Sequence, residues 1–188
     1  YPTKNLGGAG DGGMVLTDDD DTALRVRRLR AHGDVGRYDH RELGMNSRLD
    51  TLQAAILLVK ARHLQEWNDA RRARAAVYDR LLADVGGDLV LPATQPGNRH
   101  TYHQYVIRTP RRDSLARHLN ERGIGCAVYY PIPLHLQACF SSLAHREGDF
   151  PAAEAACREV LALPLYPEIS GSEQAQVADT IRAFYQPA

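Results

Sequence analysis

The sequence predicts an α/β protein, and three observations carry that reading. A strand–helix–strand order runs from His103 to Tyr130, which builds a small sheet with a helix across it. Thr51 to Ala83 keeps helical spacing without Gly or Pro, so one long helix is predicted there. Apolar residues make up 44% of the 188, which suffices for a buried core. The expected division is 1–50, a connecting helix over 51–84, and a small α/β domain over 85–188.

Composition excludes several classes of function. Lys+Arg and Asp+Glu balance at 23 each, so there is no charged surface of the kind that binds nucleic acid or an anionic membrane. No apolar run approaches the roughly 20 residues of a membrane span. Cys126, Cys139 and Cys157 are odd in number and far apart. They read as reduced thiols of a cytoplasmic protein. The chain opens without Met inside a functional-looking loop, so it is expected to be a fragment.

The first stretch, Tyr1-Pro2-Thr3-Lys4-Asn5-Leu6-Gly7, presents one lysine on a stiff entry ahead of a glycine-rich loop. A desolvated lysine amine can attack a carbonyl and form a Schiff base. From these residues alone, a solvated lysine beside a glycine linker is the better reading. The order rules out a phosphate-binding P-loop, because the lysine precedes the glycines.

Met14–Thr17 is predicted as a strand, and Asp18–Asp21 as the acidic start of a helix running to about Ala31 before Gly33. Residues 34–48 show no period and are predicted as a loop. Asp50 caps the long helix, whose predicted apolar stripe is Leu52, Ile56, Val59, His63, Trp67, Ala70, Arg74, Val77 and Leu81. At 1.5 Å per residue that helix is roughly 50 Å long, the length of a strut between domains. Arg71, Arg72 and Arg74 are placed on exposed or snorkelling positions.

Leu89–Pro92 is predicted as an edge strand, His103–Thr109 as a strand, Asp113–Arg122 as a helix stopped by Gly123, and Cys126–Tyr130 as a strand. Pro131–His135 is expected to be a rigid non-helical loop. Short helices are predicted over 136–145 and 151–162. Ser170-x-x-Glu173 is a capping box that opens a last helix through Tyr185. His100-x-x-His103 lacks a closed set of metal ligands, so no metal site is expected. Tyr129–His135 reads as a wall of a polar pocket or as packing.

Seven motifs in order carry a family resemblance: YPTKNLG at 1–7 with GDGG at 10–13, MNSRLDTLQAAIL at 45–57, HLQEWNDARR at 63–72, YHQYVIR at 102–108, GIGCAVYYPIPLHLQ at 123–137, EGDFPAAE at 147–154, and LPLYPEIS at 163–170. Together they resemble the DegT/DnrJ/EryC1/StrS family of nucleotide-sugar aminotransferases that depend on pyridoxal 5'-phosphate. The resemblance implies the type I aminotransferase fold, with residues 1–50 closing its large domain, and a homodimer with shared active sites. It implies transfer of an amino group from L-glutamate to a nucleotide-linked keto-sugar, with the NSRLDTLQAA form favouring a 3-keto over a 4-keto sugar.

Carried over by motif, Lys4 is similar to the catalytic lysine that forms the Schiff base with the cofactor. Asn46 resembles the contact to the cofactor phosphate of the neighbouring subunit, and Arg48 the group that binds the donor carboxylate. Tyr130 and His135 resemble residues near the sugar nucleotide, and Asn5 and Gly12 shape the lysine loop. The family's preceding half, with the acid that pairs with the pyridine nitrogen, has no counterpart in these residues. The chain alone is therefore expected to be inactive. A non-catalytic dimerisation or interaction module is the alternative.

Overall fold

Asp19 opens the first helix because its carboxylate accepts from the backbone N–H groups of Asp21 and Thr22. These are two of the donors that a helix start leaves unpaired. The helix, α1, covers Asp20–Leu29. Its exit depends on Gly33 at φ +76°, whose N–H donates to the Arg28 carbonyl at 2.8 Å. A Cβ at Gly33 would lie 1.7 Å from the Glu42 carbonyl oxygen, so only glycine lets the returning chain lie this close. In this computed structural model residues 1–186 are described, and the last two positions of the expected 85–188 domain lie outside them.

Residues 34–48 are more ordered than a loop without period suggests. His32 N–H donates to Met45 O, Met45 N–H to Leu29 O and Ser47 N–H to Arg30 O. Antiparallel bridges join Ala31 to Asn46 and Asp34 to His40. These are backbone bonds, which leave no mark in side-chain periodicity.

The predicted single helix over 51–83 is two helices, α2 (Thr51–Ala61) and α3 (Leu64–Leu82). Between them Arg62 and His63 form a turn, with N–H groups donating three residues back to Val59 and Lys60. That tighter bonding breaks the i to i−4 ladder without Gly or Pro. Asp50 is the N-cap residue of α2 but makes no side-chain capping bond.

The chain divides into two compact units, Tyr1–Gln65 and Glu66–Ala188. In the first, the buried residues are Gly7 and Gly33 alone. The predicted strand Met14–Thr17 is not formed, because no described residue pairs with it, and Met14, Val15 and Leu16 are exposed. Leu52, Leu58 and Val59 of α2 are exposed as well. A unit this rich in exposed apolar surface has little hydrophobic stabilisation of its own.

The second unit holds the core. Strand β1 (Tyr105–Arg108) pairs antiparallel with β2 (Val160–Leu163) in the register Tyr105 to Leu163 and Ile107 to Leu161. Single bridges extend this sheet, Val90 beside Arg108 and Ala127 beside Ala162. The expected strands 89–92 and 126–130 thus reduce to one bridged residue each. Helix α4 (Arg112–Asn120) connects β1 to the Ala127 bridge, so the predicted strand–helix–strand unit is present with β2 inserted at its centre.

The helix predicted over 151–162 ends early: α5 is Pro151–Glu159, and Val160–Leu163 is the central strand. Nothing in CREVLAL interrupts a helix locally; pairing on both edges decides it. The helix expected over 136–145 is instead two 3₁₀ turns, Leu134–Leu136 and Ala138–Leu143, so Leu134 and His135 are not the non-helical residues expected.

Helix α6 (Gly171–Tyr185) starts on the predicted capping box, with both Ser170–Glu173 bonds present. One apolar cluster joins Ala75, Tyr78 and Leu82 of α3, Leu115 and Leu119 of α4, Val177 and Ile181 of α6, and Tyr105, Ile107, Leu161 and Leu163 of the sheet. The buried seam of α3 is therefore 75, 78 and 82, one position on from the predicted 74, 77 and 81. Tyr78 can face inward because its hydroxyl donates to Pro164 O at 2.9 Å. Arg71, expected to be exposed or snorkelling, has its guanidinium turned to the protein, where it donates to the carbonyls of Tyr102, His103 and Leu165. Desolvation lowers its pKa from the usual value, and those carbonyls supply the acceptors a part-buried guanidinium needs.

Candidate functional site

The lysine loop is closed by its own backbone. Lys4 N–H donates to Tyr1 O at 3.2 Å. Gly7 is buried, and a Cβ on it would lie 2.2 Å from the Pro2 carbonyl oxygen. Only a residue without Cβ lets the chain fold back on Pro2 in this way, and Lys4 is exposed on the resulting turn. The glycine stretch behind it is tied to α2, because Gln53 Oε1 accepts from Ala9 N–H at 2.8 Å.

The bridge between Ala31 and Asn46 brings the NSR motif back to the end of α1. Arg48 Nε donates to Asn46 Oδ1 at 3.0 Å, so these two predicted residues are brought together. With Oδ1 engaged, the donors of Asn46 are its NH₂ hydrogens, which suit a phosphate oxygen. A cavity of about 930 Å³ in the same unit is lined by Gly12, Met14, Arg27, Arg30, Ser47 and Arg48 among others; Lys4 and Asn46 are not among its lining residues. This cavity therefore does not surround the lysine.

Tyr130 and His135 belong to the second unit. Tyr130 is 67% exposed, with its ring edge-on to Tyr129 at 5.7 Å. His135 is nearly buried, its Nε2 3.0 Å from Glu154 Oε1. The Glu154 carboxylate also accepts from Gly148 N–H at 2.9 and 3.1 Å and from Phe150 N–H at 3.3 Å. The Phe150 ring lies 4.8 Å from that of His135 and 5.0 Å from that of His145. His145 in turn pairs with Asp149 at 3.2 Å.

Burial alone would raise the Glu154 carboxyl, but the N–H groups of Gly148 and Phe150 and the His135 ring outweigh it and hold it below the usual 4.5. A depressed folded-state value means the group stabilises the fold fully above its unfolded value and loses that contribution as pH falls through the folded one. Acid unfolding of the second unit is therefore expected to begin below about pH 4.5. A Glu154→Gln variant should show a shallower loss of stability there by circular dichroism. An unchanged acid limb would exclude Glu154 as a source of it.

Gln53 and Glu154 were not among the residues singled out by motif. Glu154 closes the EGDFPAAE motif, and an acid on a helix just after a Gly-Asp-Phe-Pro turn was the signal to follow. Gln53 carried none, since a glutamine in the first turn of an apolar helix reads as surface.

The model of the DegT/DnrJ/EryC1/StrS aminotransferase family matches residues 1–182. A Geobacillus stearothermophilus protein named pleiotropic regulatory protein is 51% identical over 187 residues, covering 99% of this chain and 50% of its own length. The dTDP-3-amino-3,4,6-trideoxy-alpha-D-glucose transaminase of Streptomyces venezuelae is 43% identical over 182 residues, covering 97% of this chain and 48% of its own. The crystal structure of S. venezuelae DesV in complex with a ketimine intermediate matches at TM-score 0.94 and 42% identity, over 100% of this chain and 50% of that one. The chain spans about half the length of the curated relatives it matches, and over that half it has the aminotransferase fold.

Proposed function

The chain belongs to the DegT/DnrJ/EryC1/StrS aminotransferase family, and on that premise we propose that the polypeptide carrying it moves an amino group from L-glutamate to a nucleotide-linked keto-sugar. The observation that carries this reading is the exposed lysine on a loop closed by Gly7 and tied to α2 by Gln53. The residues present fit pyridoxal phosphate at two places: an amine on a stiff turn for the chain's own cofactor, and the carboxamide donors of Asn46 for the cofactor phosphate of the neighbouring subunit. When bound, that cofactor supplies the electron sink that lets the α-proton of an amino acid leave.

The residues of this chain do the rest. Lys4 would hold the cofactor, and its amine would carry the proton between the two carbons that exchange it. Gly7 and Gln53 hold that amine in one place, which raises the fraction of encounters in a reacting geometry. Arg48 takes the donor carboxylate through its guanidinium fork, while Asn46 steadies the cofactor phosphate of the neighbouring subunit. Tyr130 and His135 contact the sugar nucleotide. We place the 3-keto sugar ahead of the 4-keto one, which agrees with the 3-amino sugar in the name of the Streptomyces relative. The active form is a homodimer in the cytoplasm, and the 188 residues alone are inactive, because they lack the acid that keeps the pyridine nitrogen protonated.

The test is amino transfer from glutamate to dTDP- and UDP-linked 3-keto and 4-keto sugars, read by chromatography of the amino sugar nucleotide. Transfer is expected from a polypeptide that also carries the half its relatives have, at least about tenfold faster with the 3-keto sugar, and none from the 188-residue chain alone. No transfer with any of these substrates would leave the non-catalytic module as the better reading.

A further inference from the structure

Among the described residues, Glu154 is the one buried carboxylate, 4% exposed. Burying an ionised carboxyl costs several kcal/mol unless its oxygens are taken up by donors. Gly148 and Phe150 supply backbone N–H groups, which anchor the turn that precedes α5. The third partner is different in kind, a histidine ring nitrogen at 3.0 Å. An ionised carboxylate can only accept. Nε2 of His135 must therefore carry the hydrogen, and in the neutral ring Nδ1 is left bare as an acceptor.

The ring is also held in orientation. Phe150 lies against it at 4.8 Å, and the edge of His145 faces it at 6.4 Å. His145 is engaged by Asp149, whose carboxylate also accepts from Arg146 N–H. His135 sits in the 3₁₀ turn Leu134–Leu136, just after the exposed Tyr130 and Ile132. One buried acid thus sets both the path of the loop and the protonation pattern of a side chain assigned to the substrate.

We propose that Glu154 is a positioning residue of the sugar-nucleotide site, holding His135 as its Nε2–H tautomer so that Nδ1 is presented as a hydrogen-bond acceptor to a ligand hydroxyl. This rests on the reading of His135 as a substrate contact given above. A merely structural acid would impose the same tautomer, but its loss would leave the affinity for the sugar nucleotide unchanged.

Nitrogen-15 NMR of the histidine-labelled 188-residue chain reads the tautomer directly. His135 is expected as Nε2–H in the wild type and in Glu154→Gln, whose amide oxygen still accepts from Nε2, and as a mixture in Glu154→Ala. In the longer polypeptide, Glu154→Ala should raise KM for the sugar nucleotide about tenfold, the worth of one hydrogen bond. The KM for glutamate should be unchanged and kcat should stay within about threefold, since His135 binds substrate without joining the proton transfer. Glu154→Gln should recover most of the KM. Finding His135 as Nδ1–H in the wild type, or sugar and glutamate KM rising together in both variants, overturns the proposal. Should the wild-type polypeptide transfer no amino group, the functional reading fails, and direct titration with a sugar nucleotide decides this one: binding weakened by Glu154→Ala and restored by Glu154→Gln supports it, and equal binding by all three overturns it.

Discussion

Lys4→Ala is expected to abolish the proposed amino transfer. In the polypeptide that carries both halves, the expected fall in kcat is about 10⁴-fold, the upper range for losing a positioned acid–base group. Lys4→Arg should fall as far, because a guanidinium keeps its proton at any working pH and cannot take one up from carbon. Folding is not the reason for either loss: Lys4 is exposed, and substitutions at such positions usually shift stability by no more than about 0.5 kcal/mol. Single-turnover rates with glutamate, beside thermal melts of the same samples, check both points. An arginine variant within tenfold of wild type would mean that Lys4 contributes only charge, and the proposed role would fall.

Tyr105→Ala is expected to be the most damaging single change to the second unit. Its side chain is 0% exposed, packed 5.0 Å from the Tyr78 ring and 6.2 Å from that of Tyr102. Its hydroxyl donates to Asp79 Oδ1 at 2.6 Å. Burial pushes the Tyr105 pKa well above the usual tyrosine value, so it remains a donor throughout the working pH range. Removing such a ring from a core costs about 3–5 kcal/mol, which would lower the urea midpoint by about 2 M. Tyr105→Phe keeps the ring and loses one hydrogen bond, about 1 kcal/mol. A midpoint for the alanine variant equal to that of the phenylalanine variant would show that the ring is not what holds the sheet to its helices.

Features made by neighbours along the chain are legible in the residues themselves. The Ser170–Glu173 box opens α6 because both of its bonds span three residues, and Asp19 opens α1 through bonds that span two and three. Gly33 and Gly123 end helices through their own backbone angles, φ +76° and +73°. The motif order likewise points to the family whose model matches residues 1–182. Strand β2 is not legible in this way, because Val160–Leu163 becomes a strand only through β1 and Ala127 on its two edges. Nor is the role of Arg71, whose acceptors lie at Tyr102, His103 and Leu165, far along the chain.

The candidate site divides in the same way. Residue types and their order belong to the sequence: one lysine ahead of glycines, an NSR motif, a Tyr-Tyr-Pro segment ending in His135. Folding is what brings Asn46 back beside Ala31, sets Gln53 on the glycine loop, and binds His135 to a buried Glu154. The reason is physical. Caps and turns are set by energies between residues a few positions apart, whereas a buried carboxylate or a central strand exists only once distant segments supply its donors.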